Sequence, residues 1–494
     1  MTKVAAVILG RNASEVERQS RIALAKGADL VELRFDEIAD LGTETIRHLA
    51  KVVGEHAIAT VRSHGQGGAQ RRGRAPRSAL MKEICGHRFA YVDLELEADE
   101  AELDDLARVA HHHGAKVIVS HHFAEAKDVH RASEVLEACG ARGDIAKVAT
   151  PIADFGTAIQ LIDLARARAN RPPPMVLIGT GTMGMVTRAL TDALREEIQY
   201  ASWGSAAAPG QLPLATAARL RGREPMILGL VGHPLEHSLS PVIHETALAA
   251  LNLPAVYLPM DIPLDFLDQF LLAVDRLHIR GFNVTHPLKE SLAQCVDELD
   301  ADAERLGAVN TVVVRDGWTV GHNTDVYGFR VSLRALGLRV GERTALVVGA
   351  GGAARAVVHV LLREGASVQV TNRTIARAEA LADSFDDPVA VVPMEALQRA
   401  GPWDLLVNAT PIGMKGAAPG LPVPEAVVAK AAFVYDLVYN PTATPLLQAA
   451  RRLNRPGTSG LDMLLHQAAK AFELWTGQSP PFDAMRRAVK EALR

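Results

Sequence analysis

The chain has 494 residues, of which 48% are hydrophobic, and its formal net charge is −4 at pH 7. At about 150 residues per domain, this length predicts about three domains. The balanced charge does not indicate a nucleic-acid-binding protein, and no stretch reaches the ~18 uninterrupted apolar residues of a membrane span. Three cysteines without CxxC spacing fit the reducing cytoplasm.

Two polar runs invite other interpretations. The basic run QRRGRAPR (70–77) has no interleaved aromatic residues, and we interpret it as a solvated or substrate-facing loop. Three consecutive histidines at 111–113 precede Gly114, which resembles a helix C-terminal cap, where cations are favoured. We therefore predict no metal site.

Residues 1–205 alternate short apolar runs with amphipathic helical patterns. Eight of these runs have the length and composition of strands: 4–10, 29–35, 57–63, 90–96, 116–122, 144–150, 175–180 and, more weakly, 199–203. About eight strand–helix units in about 220 residues are typical of a (β/α)8 barrel. A doubly wound sheet is the alternative architecture.

One lysine, Lys147, stands inside the apolar run GDIAKVAT (143–150). It either reaches water from a strand end or is buried, where a lowered pKa would make its amine nucleophilic. Lys147 lies in the second half of the sixth predicted strand, and other polar residues stand near strand ends: Glu32 and Arg34 on the second, Arg62 on the third and His122 on the fifth. The carboxyl ends of barrel strands meet at one mouth, so we expect these side chains to share a site.

A second part of the chain begins after a stretch at 205–225 that contains proline and glycine breaks, and we place the boundary at 222–226. Within it, residues 344–374 follow the order strand, glycine-rich turn, helix, strand. Gly349, Gly351 and Gly352 occupy the turn, where glycine permits a pyrophosphate to approach the helix N-terminus. This arrangement predicts a nucleotide-binding lobe.

The end of the second strand of this unit predicts NADP(H) rather than NAD(H). Folds that prefer NAD have an acidic residue there, which binds the ribose 2′-hydroxyl. Here the strand ends with Asn372, Arg373 and Thr374. A guanidinium pairs with a 2′-phosphate, whereas a carboxylate would repel it.

Longer motifs run through the second half in a fixed order: GHPLEHSLSP (232–241), GFNVTHPLKE (281–290), GAVNTV (307–312), NTDVYGF (323–329), GAGGAARA (349–356), NRT (372–374), NATPIGM (408–414), YDLVYNPTATPLL (435–447) and GLDMLLHQA (460–468). With these motifs the second half resembles shikimate dehydrogenase over nearly its full length. The resemblance implies that Lys289 and Asp325 are the catalytic pair. It implies substrate contacts from Ser238, Ser240, Thr285, Asn310, Tyr439 and Gln467. It implies cofactor contacts from Gly349, Ala350, Gly351, Gly352, Ala353, Asn372, Arg373, Thr374, Thr410 and Gly460.

Shorter motifs cover the first half: VELRFDEI (31–38), TVRSHGQGG (60–68), YVDLEL (91–96), VSHHF (119–123), DIAKVAT (144–150), GMVTR (184–188) and APGQ (208–211). They resemble type I 3-dehydroquinate dehydratase. The resemblance implies that Lys147 forms a Schiff base with the substrate ketone and that His122 is the general acid and base. It also implies that Arg188 holds the substrate carboxylate, while Glu32, Arg34, Arg62 and Gln211 complete the pocket.

Two positions depart from the pattern of this second family. The family has a glutamate where this chain has Gln66, and that glutamate is expected to orient the catalytic histidine. Many members have a serine where this chain has Ala207. An alternative function is therefore a shikimate or quinate dehydrogenase whose barrel is weak or inactive and acts as a scaffold.

The order of the two resemblances on one chain is that of bifunctional enzymes of the shikimate pathway. It implies an α/β protein in which an N-terminal (β/α)8 barrel (1–222) precedes a two-lobed unit like shikimate dehydrogenase. That unit would have a substrate lobe (226–330), a Rossmann nucleotide lobe (331–455) and C-terminal helices (456–494) that return to the substrate lobe. The expected partners are 3-dehydroquinate, 3-dehydroshikimate, shikimate and NADP(H), without nucleic acid or membrane, in a cytoplasmic monomer or homodimer. A class I aldolase and a nucleotide-sensing binding protein fit the motifs less well.

Overall fold

A computed structural model describes residues 2–39, 41–69, 74–236 and 238–493. Every helix within these ranges is too short or too polar to cross a lipid bilayer. The chain forms two compact units. The first contains the residues up to Leu228 with Asn252–Met260 and Asp268–Ile279, and the second contains Gly229–Leu251, Asp261–Leu267 and the residues from Arg280 onward.

The first sheet consists of eight parallel strands, one for each predicted apolar run. They are β1 (Lys3–Ile8), β2 (Leu30–Arg34), β3 (Ala57–Thr60), β4 (Tyr91–Glu95), β5 (Lys116–His122), β6 (Ile145–Pro151), β7 (Met175–Thr180) and β8 (Ile198–Ser202). Their order is β7-β6-β5-β4-β3-β2-β1-β8. The backbone N–H of Glu197, just before β8, donates to the carbonyl of Met175 in β7 over 2.9 Å. The sheet therefore nearly closes, which confirms the predicted barrel and excludes the doubly wound alternative.

Helices follow the barrel strands in turn: α1 (Ala13–Ala25), α2 (Thr43–Val53), α3 (Arg74–Cys85), α4 (Glu100–His112), α5 (Ala132–Gly140), α6 (Phe155–Arg168), α7 (Met185–Ala189) and α8 (Leu214–Leu220). Short 3-10 turns lie at Gly54–His56, His64–Gln66 and Ala126–Arg131. Side-chain caps begin several of the helices; Asp154, for example, accepts a hydrogen bond of 2.7 Å from the backbone N–H of Thr157. Such caps satisfy donors that the first helical turn leaves without intrahelical partners.

Three local predictions need correction. The strand β3 ends at Thr60, so Arg62 lies two residues beyond the strand that was expected to end with it. Lys147 is the third of the seven residues of β6, so it lies in the first half of the strand and deeper in the barrel than predicted. Of the basic run, 70–73 lies outside the described residues, and 74–77 begins a helix instead of a loop.

The barrel interior has an apolar layer beneath a polar one. Inward-facing residues recur at every second position along a strand. Seven of them form one buried cluster near the strand starts: Leu30, Ile58, Tyr91, Ile118, Ile145, Val176 and Ile198. Two positions further along five of the same strands stand Glu32, Thr60, Asp93, Ser120 and Lys147. The strand period therefore directs these polar side chains inward, above an apolar floor made by the seven residues.

The second sheet is formed by β9 (Met226–Gly232), β10 (Ala255–Asp261), β11 (Ile279–Val284), β12 (Glu298–Leu299), β13 (Thr311–Arg315) and β14 (Trp318–His322). Its order is β10-β9-β11-β13-β14-β12, and β13 runs antiparallel to both of its neighbours. The helices in this part of the chain are α9 (Ser240–Ala250), α10 (Leu267–Ala273), α11 (Lys289–Ala293), α12 (Ala301–Leu306) and α13 (Thr324–Ala335), with a 3-10 turn at Leu264–Phe266.

The third sheet is formed by β15 (Thr344–Val348), β16 (Ser367–Thr371), β17 (Val389–Val391), β18 (Trp403–Asn408), β19 (Ala431–Asp436) and β20 (Gly457–Ser459). Its helices are α14 (Gly352–Arg363), α15 (Ile375–Asp383), α16 (Glu425–Val428) and α17 (Pro445–Arg452), with a 3-10 turn at Met394–Ala396. The parallel strands have the order β17-β16-β15-β18-β19-β20, so the chain order reverses between β15 and β18. Dinucleotides bind at the carboxyl ends of strands at such a switch point, and this sheet has the predicted Rossmann topology.

Two helices, α18 (Leu461–Thr476) and α19 (Phe482–Ala492), end the described chain. The first packs on α13 and also contacts β13, where Trp475 Nε1 donates to the carbonyl of Val312 over 2.8 Å. The second, α19, packs on α9. The predicted limit at 330 falls inside α13, and β20 completes the nucleotide sheet although it was assigned to the C-terminal segment. The finer domain limits therefore remain predictions.

Candidate active sites

Lys147 is the central charge of the polar layer in the barrel. The residue is 2% exposed, which excludes the interpretation in which it reaches water from a strand end. The Nζ atom donates to Oδ2 of Asp93 over 2.9 Å and lies 3.5 Å from Oε1 of Glu32. It also lies 3.9 Å from the ring centroid of Tyr200, a cation–π arrangement. Two carboxylates and one aromatic face therefore compensate for the loss of water around this ammonium.

Arg62 is the second cation of this network. Its guanidinium contacts Asp93 Oδ2 at 3.0 Å and Glu95 Oε1 at 3.3 Å, and it donates to Ser120 Oγ over 2.9 Å. Burial by itself would raise the pKa of Asp93, but Arg62 and Lys147 hold that pKa well below its ordinary value. Asp93 is therefore an anion shared between two buried cations.

His122 faces the same cations. Burial and then the charges of Arg62 and Lys147 lower its pKa well below the ordinary value of 6.5, and Asp93 offsets part of this effect. The ring is therefore neutral at pH 7, and a neutral imidazole has one nitrogen able to accept a proton.

The contacts of Gln66 identify that nitrogen. Oε1 of Gln66 lies 3.0 Å from the backbone N of His122 and 3.0 Å from its Nδ1. A backbone N–H can only donate, so the atom facing it must be the amide oxygen, and Nδ1 must carry the proton. The unprotonated nitrogen of the neutral ring is therefore Nε2.

A cavity of about 440 Å³ opens over these residues. All seven residues that were predicted for the barrel site line it: Glu32, Arg34, Arg62, His122, Lys147, Arg188 and Gln211. Arg34 is held by Asp36, which it contacts at 2.6 Å and 2.9 Å. The amide oxygen of Gln211 accepts from the backbone N–H of Ala207 over 2.9 Å, so the serine side chain that is absent here is not needed for that contact.

Arg188 lies at another wall of the cavity. Its guanidinium donates to the carbonyls of Gly179 and Tyr200, at 3.0 Å and 3.5 Å. Burial lowers its pKa to about 10, although the Glu196 carboxyl offsets part of this. A buried cation held by carbonyl oxygens is well suited to bind the carboxylate of a ligand.

A second polar cluster lies in the other unit. Lys289, the first residue of α11, places Nζ 2.6 Å from Oδ2 of Asp325 in α13. The other oxygen of Asp325 accepts from Asn310 Nδ2 over 2.9 Å. Asn310 Oδ1 accepts in turn from the backbone N–H of Thr324 over 2.7 Å. Thr324 Oγ1 lies 3.4 Å from Oε1 of Gln467, so the network extends to α18.

The remaining residues that were predicted to bind substrate lie on nearby elements of the same unit. Ser238 precedes α9, and its Oγ accepts from the backbone N–H of Ser240 over 3.3 Å. Thr285 follows β11 and donates its backbone N–H to the carbonyl of Val231 in β9. Tyr439 follows β19, and burial raises its pKa. The hydrogen bonds described above do not join these four residues to the lysine network, so their part in the site remains a prediction.

The glycine-rich turn lies beside this cluster. Gly349 has φ +115°, and a Cβ there would lie 3.0 Å from the carbonyl oxygen of Ala409 in the turn after β18. Gly351 is the N-cap of α14, and a Cβ on Gly352 would lie 3.6 Å from Cδ of Lys289. The open N-terminus of α14 and the Lys289 side chain therefore face the same space, as a joint cofactor and substrate site requires.

The other predicted cofactor residues surround the carboxyl end of the third sheet. Ala350 and Ala353 belong to the turn and to the first turn of α14. Asn372 follows β16 and donates to the carbonyl of Thr374 over 2.9 Å, while Arg373 and Thr374 are exposed. Thr410 donates to Oδ1 of Asn408 over 2.7 Å. Gly460 is the N-cap of α18, where a Cβ would lie 2.1 Å from the carbonyl oxygen of Leu437.

Sequence reasoning missed three residues that surround the two cations of the barrel site. Asp93, Glu95 and Tyr200 were not among the predicted site residues. Asp93 gave the same signal as Lys147, a charged residue inside an apolar strand run, so it could have been identified by the same argument.

Comparisons with known proteins support both of the family resemblances that the sequence motifs indicate. The family model described as type I 3-dehydroquinase matches residues 4–221. Three further models match the second half: the shikimate dehydrogenase substrate binding domain (230–312), shikimate / quinate 5-dehydrogenase (332–412) and the shikimate 5'-dehydrogenase C-terminal domain (460–490).

Several curated relatives and solved structures resemble the second half. The NADP(+) shikimate dehydrogenase of Caldanaerobacter subterraneus is 44% identical over 257 residues, which are 51% of this chain and 92% of the relative. That of Rubrobacter xylanophilus is 45% identical over 273 residues, 54% of this chain and 96% of the relative. A shikimate 5-dehydrogenase from Thermus thermophilus, solved in complex with NADP(H) and shikimate, is 41% identical with a TM-score of 0.50 over 54% of this chain and 100% of that one. The chain therefore belongs to the shikimate dehydrogenase family in its second half and carries a type I 3-dehydroquinase domain in its first.

Proposed function

We propose that the barrel converts 3-dehydroquinate into 3-dehydroshikimate and that the second half reduces this product to shikimate with NADPH. The observation that carries the proposal is the enclosure of Lys147. A buried lysine that lines a cavity with an unprotonated histidine nitrogen and a carboxylate-binding arginine suits imine chemistry on a small keto acid. The product of the first reaction is the substrate of the second.

Lys147 acts as the nucleophile in the barrel. Its neutral amine attacks the substrate ketone, and loss of water gives an iminium between Nζ and the former carbonyl carbon. The ammonium must first lose a proton, and Glu32, 3.5 Å away and on the cavity wall, is the proposed acceptor. An iminium accepts electrons better than a ketone, so it acidifies the adjacent carbon.

His122 moves the protons. Its unprotonated Nε2 takes the proton from that adjacent carbon, and the electron pair passes into the iminium to form an enamine. The enamine then expels the β-hydroxyl, which leaves as water with the proton returned by His122. Hydrolysis of the resulting iminium releases the product and restores the amine of Lys147.

Three cationic groups orient the substrate for this step. Arg188 pairs with the substrate carboxylate through its guanidinium, which is otherwise bound to two backbone carbonyls. Arg34 and Arg62, each fixed by carboxylates, contact hydroxyl groups together with Gln211. Fixed donors of this kind reduce the entropy lost on reaching the reactive geometry.

Lys289 and Asp325 perform the second reaction. NADPH, when bound, supplies the hydride. The Lys289 ammonium stabilises the negative charge that develops on the carbonyl oxygen and donates a proton to it. Asp325, 2.6 Å away, holds the ammonium in place.

The residues around the third sheet fit NADPH. The positive φ of Gly349 and the open N-cap at Gly351 form a turn that a pyrophosphate can approach closely. Arg373 and Thr374 are exposed where the 2′-phosphate would lie. We further propose that the protein is a cytoplasmic monomer or homodimer whose partners are these small molecules.

Assay of the purified chain tests the proposal. Elimination of water from 3-dehydroquinate is followed by the absorbance of the conjugated product, and reduction is followed by NADPH oxidation. Borohydride added with 3-dehydroquinate should inactivate only the first reaction and add a reduced adduct to Lys147. Reduction without any elimination would instead support the scaffold alternative, in which the barrel is inactive.

A further inference from the structure

Glu97 is an acidic residue just beyond the barrel cavity. It follows β4 and lines a separate cavity of about 320 Å³, to which Ser63, His64 and Gly65 also contribute. Neither the sequence motifs nor the proposed reaction gives it a role.

Its contacts connect it to the catalytic histidine. The side-chain NH2 of Gln66 donates to Oε2 of Glu97, while the amide oxygen of Gln66 accepts from both the backbone N–H and Nδ1 of His122. The orientation of the Gln66 amide is therefore fixed, because the backbone N–H of His122 requires an oxygen and the carboxylate of Glu97 requires a donor. Glu97, Gln66 and His122 form a continuous hydrogen-bonded chain.

The carboxylate at the end of this chain is charged at neutral pH. The side chain of Glu97 is about half exposed, at 47%. Its partial burial would raise its pKa, but hydrogen bonds from His121 and Gln66 hold that pKa below its ordinary value. The other oxygen of Glu97 contacts Nδ1 of His121. The chain from Glu97 to His122 therefore begins at an anion.

We propose that Glu97 is a positioning residue for the dehydration: acting through Gln66, it holds His122 as the Nδ1–H tautomer and leaves Nε2 to accept the substrate proton. This inference rests on the function proposed for the barrel. In the dehydratase family, one glutamate at the position of Gln66 is expected to orient the catalytic histidine. Here Gln66 and Glu97 together would do so.

The physical basis is polarisation along the hydrogen-bonded chain. A negative charge on Glu97 attracts the amide hydrogens of Gln66 and increases the electron density on its oxygen. That oxygen then accepts more strongly from Nδ1–H, and more strongly still when His122 becomes an imidazolium during the reaction. Without Glu97 the amide of Gln66 would be held only by the backbone N–H and Nδ1 of His122, and the other tautomer of His122 would become more accessible.

A simpler explanation is that Glu97 serves only as the hydrogen-bond partner of His121, which lies beside it. His121 packs its ring against Phe123 at 4.4 Å between centroids and is not part of the cavity lining. The variant His121→Asn removes the imidazole from this contact and leaves the hydrogen bond between Gln66 and Glu97 in place. It is therefore the matched control for Glu97→Gln, which keeps the side-chain volume and removes the charge.

The first measurement is ¹⁵N NMR of enzyme labelled at histidine, with His122 assigned through the spectrum of a His122→Asn variant. In the wild type, we expect the shift of a protonated Nδ1 and an unprotonated Nε2. Glu97→Gln should populate the opposite tautomer and reduce the kcat of dehydration on the order of tenfold, with little change in KM. His121→Asn should keep the wild-type tautomer and a kcat within about twofold of the wild-type value.

The second measurement exchanges the two residues. Gln66→Glu alone places two carboxylates in contact, so one of them must bind a proton, and its activity should fall with a shifted pH profile. Combined with Glu97→Gln, the same change puts a carboxylate directly on Nδ1 and an amide donor behind it. The double variant should therefore recover at least the wild-type kcat, a strongly non-additive result.

The pH profile must be read with all groups that face His122. Arg62, Lys147 and Arg34 lower its pKa and Asp93 raises it, so the direct carboxylate of the double variant should move the acid limb of kcat/KM to higher pH. The reductase activity of the same chain and thermal unfolding report whether each variant is folded.

Two outcomes would overturn the assignment. One is an unchanged tautomer in Glu97→Gln, and the other is an equal loss of kcat in Glu97→Gln and His121→Asn. If the wild type does not dehydrate 3-dehydroquinate, the proposed function fails, but the tautomer measurement still decides whether Glu97 acts on His122.

Discussion

Lys147 in the barrel and Lys289 in the second half are each paired with an aspartate, but their surroundings differ. Lys147 is enclosed between Asp93, Glu32 and the ring of Tyr200, above an apolar floor. Lys289 stands at the start of a short helix with one carboxylate, and its side chain is 21% exposed. The lysine that we propose to form a covalent bond is thus almost fully buried, whereas the one that we propose to donate a proton is partly exposed.

The two sites also differ in what they need from outside. The barrel holds its proposed nucleophile, proton acceptor and carboxylate-binding group in one cavity of about 440 Å³. The second site has a proposed proton donor, and its reaction also needs a reductant bound beside that donor. Independent failure of the two sites is the test of this contrast.

Replacement of Lys147 should have the largest effect. Lys147→Ala should abolish dehydration because no other group of the cavity can form the imine, and reduction of 3-dehydroshikimate should be unchanged. Lys147→Arg is the matched control that keeps the positive charge beside Asp93 but cannot form an imine, and it should be equally inactive. Both activities are measured on the same preparation, and retained elimination in either variant would rule out imine catalysis.

Replacement of Lys289 should give the opposite pattern. Lys289→Ala should lower the kcat of reduction by about 10²–10³, the usual loss when stabilisation of a developing oxyanion is removed. Dehydration and the Kd for NADPH should be unchanged. A raised KM with an unchanged kcat would make Lys289 a binding residue and weaken the contrast between the two lysines.

The pH dependence of dehydration should follow His122. A base must be neutral in the free enzyme, and the pKa of His122 lies well below 6.5 because of burial and the adjacent cations. The value of kcat/KM should therefore stay constant as the pH falls to 6.5 and decline only at lower pH. Asp93 raises this pKa, so Asp93→Asn should move the decline to still lower pH, in addition to any loss of rate. An acid limb centred above pH 6.5 would contradict this account of the site.

Much of this arrangement could be predicted from the sequence because it depends on local patterns. Apolar runs of five to seven residues identified the barrel strands, and a charged residue inside such a run identified Lys147. The glycine turn and the polar end of β16 identified the nucleotide site for the same reason. All seven residues predicted for the barrel site do line one cavity.

What could not be predicted depends on the register between strands. Asp93 meets Lys147 because β4, β5 and β6 are paired so that their inward residues share a layer, and no local pattern specifies that alignment. The contact between Gln66 and Glu97 joins two loops that are 31 residues apart in the chain. The sequence therefore indicated a missing carboxylate at position 66 but not the one that lies behind it.

Replacement of Arg373 should have the smallest effect and tests the reductant site alone. Arg373 is exposed at the end of β16, where no acidic residue stands within 367–374. Its guanidinium should pair with the 2′-phosphate of NADPH, a contact between charged groups worth about 1.5–3 kcal/mol. Because the site is open to water, we expect the low end of this range, so Arg373→Ala should reduce kcat/KM for NADPH about tenfold. The value for NADH, which lacks the phosphate, should stay the same, and Arg373→Asp should lower kcat/KM for NADPH further through charge repulsion.

Dehydration is the internal control, since the barrel uses no nucleotide. Equal losses with both nucleotides would mean that Arg373 supports the fold of the lobe instead of recognising the phosphate.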